Sequence, residues 1–188
     1  MQPLAWANGI SVRAHALGCY GNEIVPTPNI DAMATAGTVF DNAVSIWPVC
    51  SPYRAMLLTG MYPMANGTVA NDTGVRDGLP TVAKVCKAQG YATGYIGKWH
   101  LEWERTPFVP KERRQGFDYW AVNNCTHKYM DHFYCTDTPK EIRFKGYDGL
   151  ASISTVSETP NRSCRRGAGG QEKEKRSRFF PNQGMGTV

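Results

Sequence analysis

Two side chains one helical turn apart give this sequence its first chemical possibility. Cys50 stands just ahead of Ser51 and Pro52, where a helix is expected to begin, and Arg54 follows four residues later. At a helix start the first N–H groups point outward without partners, and the macrodipole favours an anion. Such a place lowers the pKa of a thiol and makes it a nucleophile. Residues four apart share a helix face, so Arg54 adds a cation beside the sulfur. Together they would form a small anion-binding corner with a nucleophile inside it. The competing reading is structural: a cysteine packed in a loop, with a solvated arginine nearby.

That corner needs a frame, and the patterning of the chain supplies one. Gly18-Cys19-Tyr20-Gly21-Asn22 reads as a turn-rich loop. Pro28 suits a first helical turn, Asn29 to Ala36 continues as a short helix, and Gly37 can end it. Thr38 to Val44 alternates as a strand would. The helix after Cys50 runs through Ala55-Met56-Leu57-Leu58-Thr59 and closes at Gly60. Leu79 to Gln89 has apolar residues at 79, 82, 83, 85 and 86, a helical face, with Gly90 as the stop. Tyr91 to Gly97 then predicts a strand. Helix, glycine, strand in that order predicts an α/β fold with a mainly parallel sheet flanked by helices.

Elsewhere the sequence is less regular. Residues 101–148 are rich in aromatic and charged side chains and are expected to form loops with little regular structure. From Arg162 to Arg178 nothing can bury an apolar face, so disorder is expected there. The chain thus divides at about residue 149, into a folded part (1–149) and a basic, disordered tail (150–188). No internal repeat is visible.

Composition narrows the function classes. Of 188 residues, 41% are apolar and 20% charged, which suits a globular domain. No apolar run approaches the roughly 20 residues of a membrane span, so no membrane association is expected. Residues 150–188 hold seven Lys/Arg against three Glu, so most of the net charge of +5 lies in the tail. A basic tail on a near-neutral body is most simply a solvated run, and nucleic acid is not expected as a partner. Met1 to Ser11 lacks a basic start and a sustained apolar stretch, so no signal peptide is read and the compartment stays open. The six cysteines, 19, 50, 86, 125, 135 and 164, form no C-x-x-C pair and predict no structural zinc. Cys125 and Cys135 could pair or remain free thiols.

Three stretches carry a family resemblance. Cys50-Ser51-Pro52-Tyr53-Arg54, followed by Leu57-Leu58-Thr59-Gly60, resembles the C-x-P-x-R signature of type I, formylglycine-dependent sulfatases and the L-T-G after it. Gly90-Tyr91-Ala92-Thr93-Gly94-Tyr95-Ile96-Gly97-Lys98-Trp99-His100 resembles their G-Y-x-T-x-x-x-G-K-x-H signature. Ala16-Leu17-Gly18-Cys19-Tyr20-Gly21, continuing to Thr27-Pro28-Asn29-Ile30-Asp31, is similar to the run before the nucleophile. The matches keep the family's order and cover about residues 13–149.

The resemblance implies an arylsulfatase-like hydrolase of sulfuric esters with an alkaline-phosphatase-like fold, here partial. It implies that a dedicated formylglycine-generating enzyme oxidises Cys50 to formylglycine. The hydrated aldehyde attacks the sulfur of a sulfate ester with one hydroxyl and expels sulfate by deprotonation of the other. Arg54 matches the position that holds the diol, Lys98 the one that contacts diol and sulfate oxygen, and His100 the one that binds or deprotonates the diol. Lys98 and His100 are two apart, so on or just past a strand both can reach one pocket. Family members are often periplasmic or secreted.

The family also implies a calcium ion beside the diol, with residue 50 among its ligands as formylglycine. Calcium needs several oxygen ligands. Two are usually adjacent aspartates in a D-D-x-R run; aligning its arginine on Arg13 places Ile10 and Ser11 there, and neither supplies a carboxylate. The later ligands of the family have no counterpart after Gly149, and Asp131-His132 reads as loop sequence. These departures, with the changes of character near residues 12 and 150, predict a gene fragment or truncated paralogue with impaired or no activity alone. The alternatives are a non-catalytic remnant and a phosphate or phosphonate ester hydrolase of the same superfamily.

Overall fold

The architecture is a three-stranded parallel sheet with helices packed against it, and the aromatic core gathers on its central strand. The structure is a computed structural model; it describes residues 12–103 and 105–147, and the backbone of 177–182. The helices are α1 (Pro28–Ala36), α2 (Cys50–Thr59), α3 (Pro63–Asn66) and α4 (Val82–Ala88). The strands are β1 (Ala92–Lys98), β2 (Tyr119–Asn123), β3 (Phe133–Tyr134), β4 (Ile142–Arg143) and β5 (Ser177–Asn182). Short 3-10 turns occupy 14–16, 18–20 and 111–113.

The sheet order is β2-β1-β5. β1 pairs in parallel with β2, Gly94 opposite Tyr119 and Lys98 opposite Asn123, and with β5, Ala92 opposite Ser177. β3 and β4 form a separate antiparallel pair, tied to the end of β2 by a bridge between Val122 and Cys135. β1 is buried through its middle, as a strand covered on both faces must be.

Local chemistry explains the helix ends. α1 begins on Pro28 and α2 ends at Gly60, whose φ of 68° and N–H bond to the Met56 carbonyl close the last turn. α4 starts one turn later than its apolar face suggested, because Pro80 precedes it and Thr81 accepts the Lys84 N–H as a cap. Gly116, at φ 100°, lies so close to α4 that an added Cβ would sit 2.9 Å from the Lys84 nitrogen.

The core is aromatic. Tyr95 packs edge-on against Trp99 at 5.0 Å and stacks with Trp120 at 5.6 Å, and Phe117 closes the group. Ala55 and Leu58 of α2 and Ala83 of α4 complete it. Arg114 is buried among these rings, 5.2 Å above Trp120, and binds the carbonyls of Val109 and Thr136 and the carboxylate of Asp137.

Two expectations are corrected. Thr38 to Val44 forms no strand; its alternation has no sheet edge to pair with and its residues are exposed. The aromatic stretch was expected to be loops, yet β2 lies within it, because Trp120-Ala121-Val122 can be buried beside β1. The tail, expected to be disordered, lies mostly outside the described residues; its described part, the backbone of Ser177–Asn182, is the outer strand of the sheet. That segment begins as the charged run gives way to Phe179-Phe180, and β1 offers it an edge. Cys125 and Cys135 are both free thiols. Among the described residues no helix is long and apolar enough to cross a membrane.

Candidate active site

Cys50 is the first residue of α2, preceded by the extended Val49, which offers no side-chain cap. The helix is held in place by two side chains three residues apart, on one face. Ser51, fully buried, donates its hydroxyl to the carbonyl of His100 at 2.6 Å. Arg54, also buried, donates Nη1 to the carbonyl of Lys98 at 2.5 Å. Tyr95 donates its hydroxyl to the same oxygen at 2.8 Å. The Ser51 N–H is received by the Asn71 side chain at 3.0 Å. The start of α2 is therefore fastened to the C-terminal end of the central strand, the end where α/β sheets collect their sites.

Beyond β1 the chain keeps the register of the sheet for two more residues. Trp99 and His100 donate their N–H groups to the carbonyls of Asn123 and Asn124 at 2.9 and 2.7 Å. This carries Lys98 and His100 to the mouth of the corner formed by Cys50 and Arg54. All four residues singled out from the sequence come together there, though Arg54 reaches across to the strand end and so does more than flank the thiol.

The electrostatics favour an anion. Burial lowers the pKa of Lys98; the Cys50 sulfur opposes this and Arg54 adds to it. Burial pushes His100 down to about 4, helped by the charges of Lys98 and Arg54 and opposed by Asp72. His100 is thus neutral at ordinary pH. Among the described residues neither Arg54 nor Lys98 has an acidic partner. The Nε of Arg54 and the Nδ1 of His100 are buried without partners. A buried cation with an unused donor calls for a counter-charge.

Four residues not foreseen from the sequence join this cluster. Asp72 lies 3.3 Å from Nε2 of His100 and takes two bonds from Arg105, at 2.9 and 2.8 Å. His127 stands 3.2 Å from the Lys98 ammonium, whose charge is the main cause that lowers its pKa. Cys125 lies within the field of Lys98, Asp72, Arg105 and Cys50, its thiol raised chiefly by burial. The turn sequence Asn71-Asp72-Thr73-Gly74 was the one signal available for Asp72.

The described residues do not fit a calcium ion. No group of three or more His, Cys, Asp or Glu among them is arranged to hold a metal. Asp72, the carboxylate beside the site, is engaged by Arg105 and His100. Ile10 and Ser11 lie outside the described residues. His132 accepts the Phe133 N–H on its Nδ1 and serves the local structure.

Comparison with known proteins gives the family and the fold. The family model described as Sulfatase matches residues 11–161. An ulvan-active sulfatase of Formosa agariphila is 45% identical over 147 residues, which is 77% of this chain and 29% of that protein. Human steryl-sulfatase is 40% identical over 117 residues, 55% of this chain and 20% of that protein. Among solved structures, BT4656 in complex with its substrate D-glucosamine-2-N,6-O-disulfate superposes with a TM-score of 0.77 at 28% identity, covering 96% of this chain and 34% of that one. The parallel sheet and its helices are thus those of the alkaline-phosphatase-like fold. The chain spans less than a third of the length of the curated relatives it matches.

Proposed function

The chain belongs to the sulfatase family, and from that premise we propose that it carries the nucleophile side of a sulfate-ester hydrolase site, with Cys50 as the precursor of formylglycine. Residues 1–149 are then the N-terminal part of a catalytic domain. The observation that carries this reading is the buried Arg54, bound through Nη1 to the end of β1 and left with an unpartnered Nε beside Cys50 and Lys98.

A hydrated formylglycine supplies one hydroxyl to attack sulfur, which expels the alcohol of the ester, and a second whose deprotonation breaks the C–O bond to sulfate and restores the aldehyde. The residues of this chain do the rest. The start of α2 turns the positive end of the helix dipole toward the anion, although the Ser51 and Tyr53 N–H groups are already bonded and Pro52 has none. Arg54 and Lys98 meet the charge that grows on the sulfate oxygens, in a place where burial strengthens their effect. His100, neutral and with a buried acceptor nitrogen, receives a proton from the hydroxyl at residue 50. No step is assigned to a metal, since the described residues do not fit one.

The test begins with Cys50 itself. After co-expression with a formylglycine-generating enzyme, the peptide around residue 50 should lose about 18 Da, whereas ordinary thiol oxidation adds mass. The converted protein should then hydrolyse an aryl sulfate, and Cys50→Ala should not. Conversion without turnover, in the full chain supplied with calcium, would refute the reading for this chain.

A further inference from the structure

Asp72 and His100 are 28 residues apart, yet both adopt left-handed backbone, at φ 59° and 55°, and their side chains meet. Only four residues other than glycine do so among the described residues. Such conformations are costly and persist where the surroundings impose them. Here Ser51 and Asn124 hold the carbonyl and N–H of His100, while Arg105 holds Asp72 with two bonds that converge on Oδ2. The other oxygen, Oδ1, is left for Nε2 of His100.

A neutral imidazole carries one N–H, and its two nitrogens take opposite roles. A carboxylate only accepts. Arg105 keeps Asp72 in that form, holding its carboxyl below the usual range. The proton of His100 must therefore sit on Nε2, and the buried Nδ1 keeps a lone pair with no partner.

We propose that Asp72, clamped by Arg105, is a positioning residue that fixes the tautomer of His100 and so presents Nδ1 as the proton acceptor of the site. The assignment of the tautomer stands on the contact of Nε2 with Oδ1, taken with an ionised Asp72 and a neutral His100; its catalytic meaning rests on the sulfatase reading.

The amide analogue gives a sharp consequence. Arg105 can only donate. In Asp72→Asn the amide oxygen must face Arg105, so the NH2 group points at Nε2. That nitrogen must then accept, and the proton moves to Nδ1. Asparagine tolerates left-handed backbone, so the substitution adds no strain. Removing Arg105 as well frees the amide to turn round and returns the proton to Nε2.

Long-range 15N–1H NMR of the labelled full chain reads which nitrogen of His100 is protonated, with Cys50 unconverted and no turnover needed. The wild type should show Nε2–H, Asp72→Asn should show Nδ1–H, and Asp72→Asn/Arg105→Ala should revert. A wild-type proton on Nδ1, which needs no variant to detect, would overturn the proposal, as would a tautomer unmoved by Asp72→Asn. In the converted protein, Asp72→Asn should lower kcat about 100-fold with KM little changed, the scale of a lost proton acceptor. An unchanged kcat with a switched tautomer would overturn the catalytic part. A tautomer switched by Asp72→Asn, in a protein whose wild type never turns over, supports the positioning role and counts against the sulfatase reading instead.

Discussion

The Ser51 hydroxyl and the His100 carbonyl, 49 residues apart in sequence, meet at 2.6 Å in a fully buried hydrogen bond. This contact joins the first turn of α2 to the residue just past β1. With the bond from Arg54 to the Lys98 carbonyl it forms a pair of struts on either side of Trp99. The corner that holds Cys50 is thus built from the strand end inward, and its geometry depends on Ser51, which has no chemical role, as well as on Arg54.

Ser51→Ala should therefore weaken the fold beyond what a lost hydroxyl suggests. The His100 carbonyl would remain buried without a donor, at a cost of about 1–3 kcal/mol. Urea unfolding of the two proteins measures this. A difference below about 0.5 kcal/mol, the range of an ordinary surface substitution, would mean that the strut bears little.

Arg114 and Asp137 form an ion pair at 2.7 Å whose members are unequal: the arginine is 1% exposed and the carboxylate 75%. Arg114→Met leaves the carbonyls of Val109 and Thr136 without a donor and should cost about 2 kcal/mol or more. Asp137→Asn loses only an exposed partner and should cost less than about 1 kcal/mol. Denaturation midpoints of both variants check the ranking; equal losses would contradict it.

Stability should fall in mild acid. His132 is buried beside Phe133 and Phe144, and its Nδ1 accepts the Phe133 N–H. Burial, with Lys128 nearby, pushes its pKa down to about 4, and burial does the same to His100. In the unfolded chain each titrates near 6.5. Below that pH the unfolded state binds more protons, so stability is full above about 6.5 and drains away toward 4, by at most about 1.4 kcal/mol per pH unit for each histidine. Glu102 acts in the opposite sense, its carboxyl raised by burial. Unfolding measured between about pH 7 and pH 4.5 should show the decline, and His132→Phe should flatten it. A slope that His132→Phe leaves unchanged would exclude His132 as a source.

Much of the site could be read from the sequence because its residues are placed by short-range rules. A helix start puts Cys50 at the anion end and Arg54 one turn on, and a strand end puts Lys98 and His100 together. Gly60 marks where α2 stops, and Gly90 where α4 gives way to β1. What escaped reading depends on distant partners. Asp72 acts from a turn far from His100, through Arg105, which lies in a stretch with no regular pattern. Ser51 looked like filler between signature residues, and only the position of the strand end gives its hydroxyl a use. β2 is concealed by its aromatic surroundings, and Thr38 to Val44 has the alternation of a strand without an edge to join.

Both struts from α2 end on main-chain oxygens, at residues 98 and 100. Every amino acid carries that oxygen, so the two bonds themselves make no demand on the side chains at those places. At residue 98 lysine can therefore be exchanged for other groups while the platform stands; at residue 100 the left-handed backbone and burial still limit the choice. Such a platform separates scaffold from reagent at the strand end, where new reactivity could be installed by changing residue 98 and leaving the architecture alone.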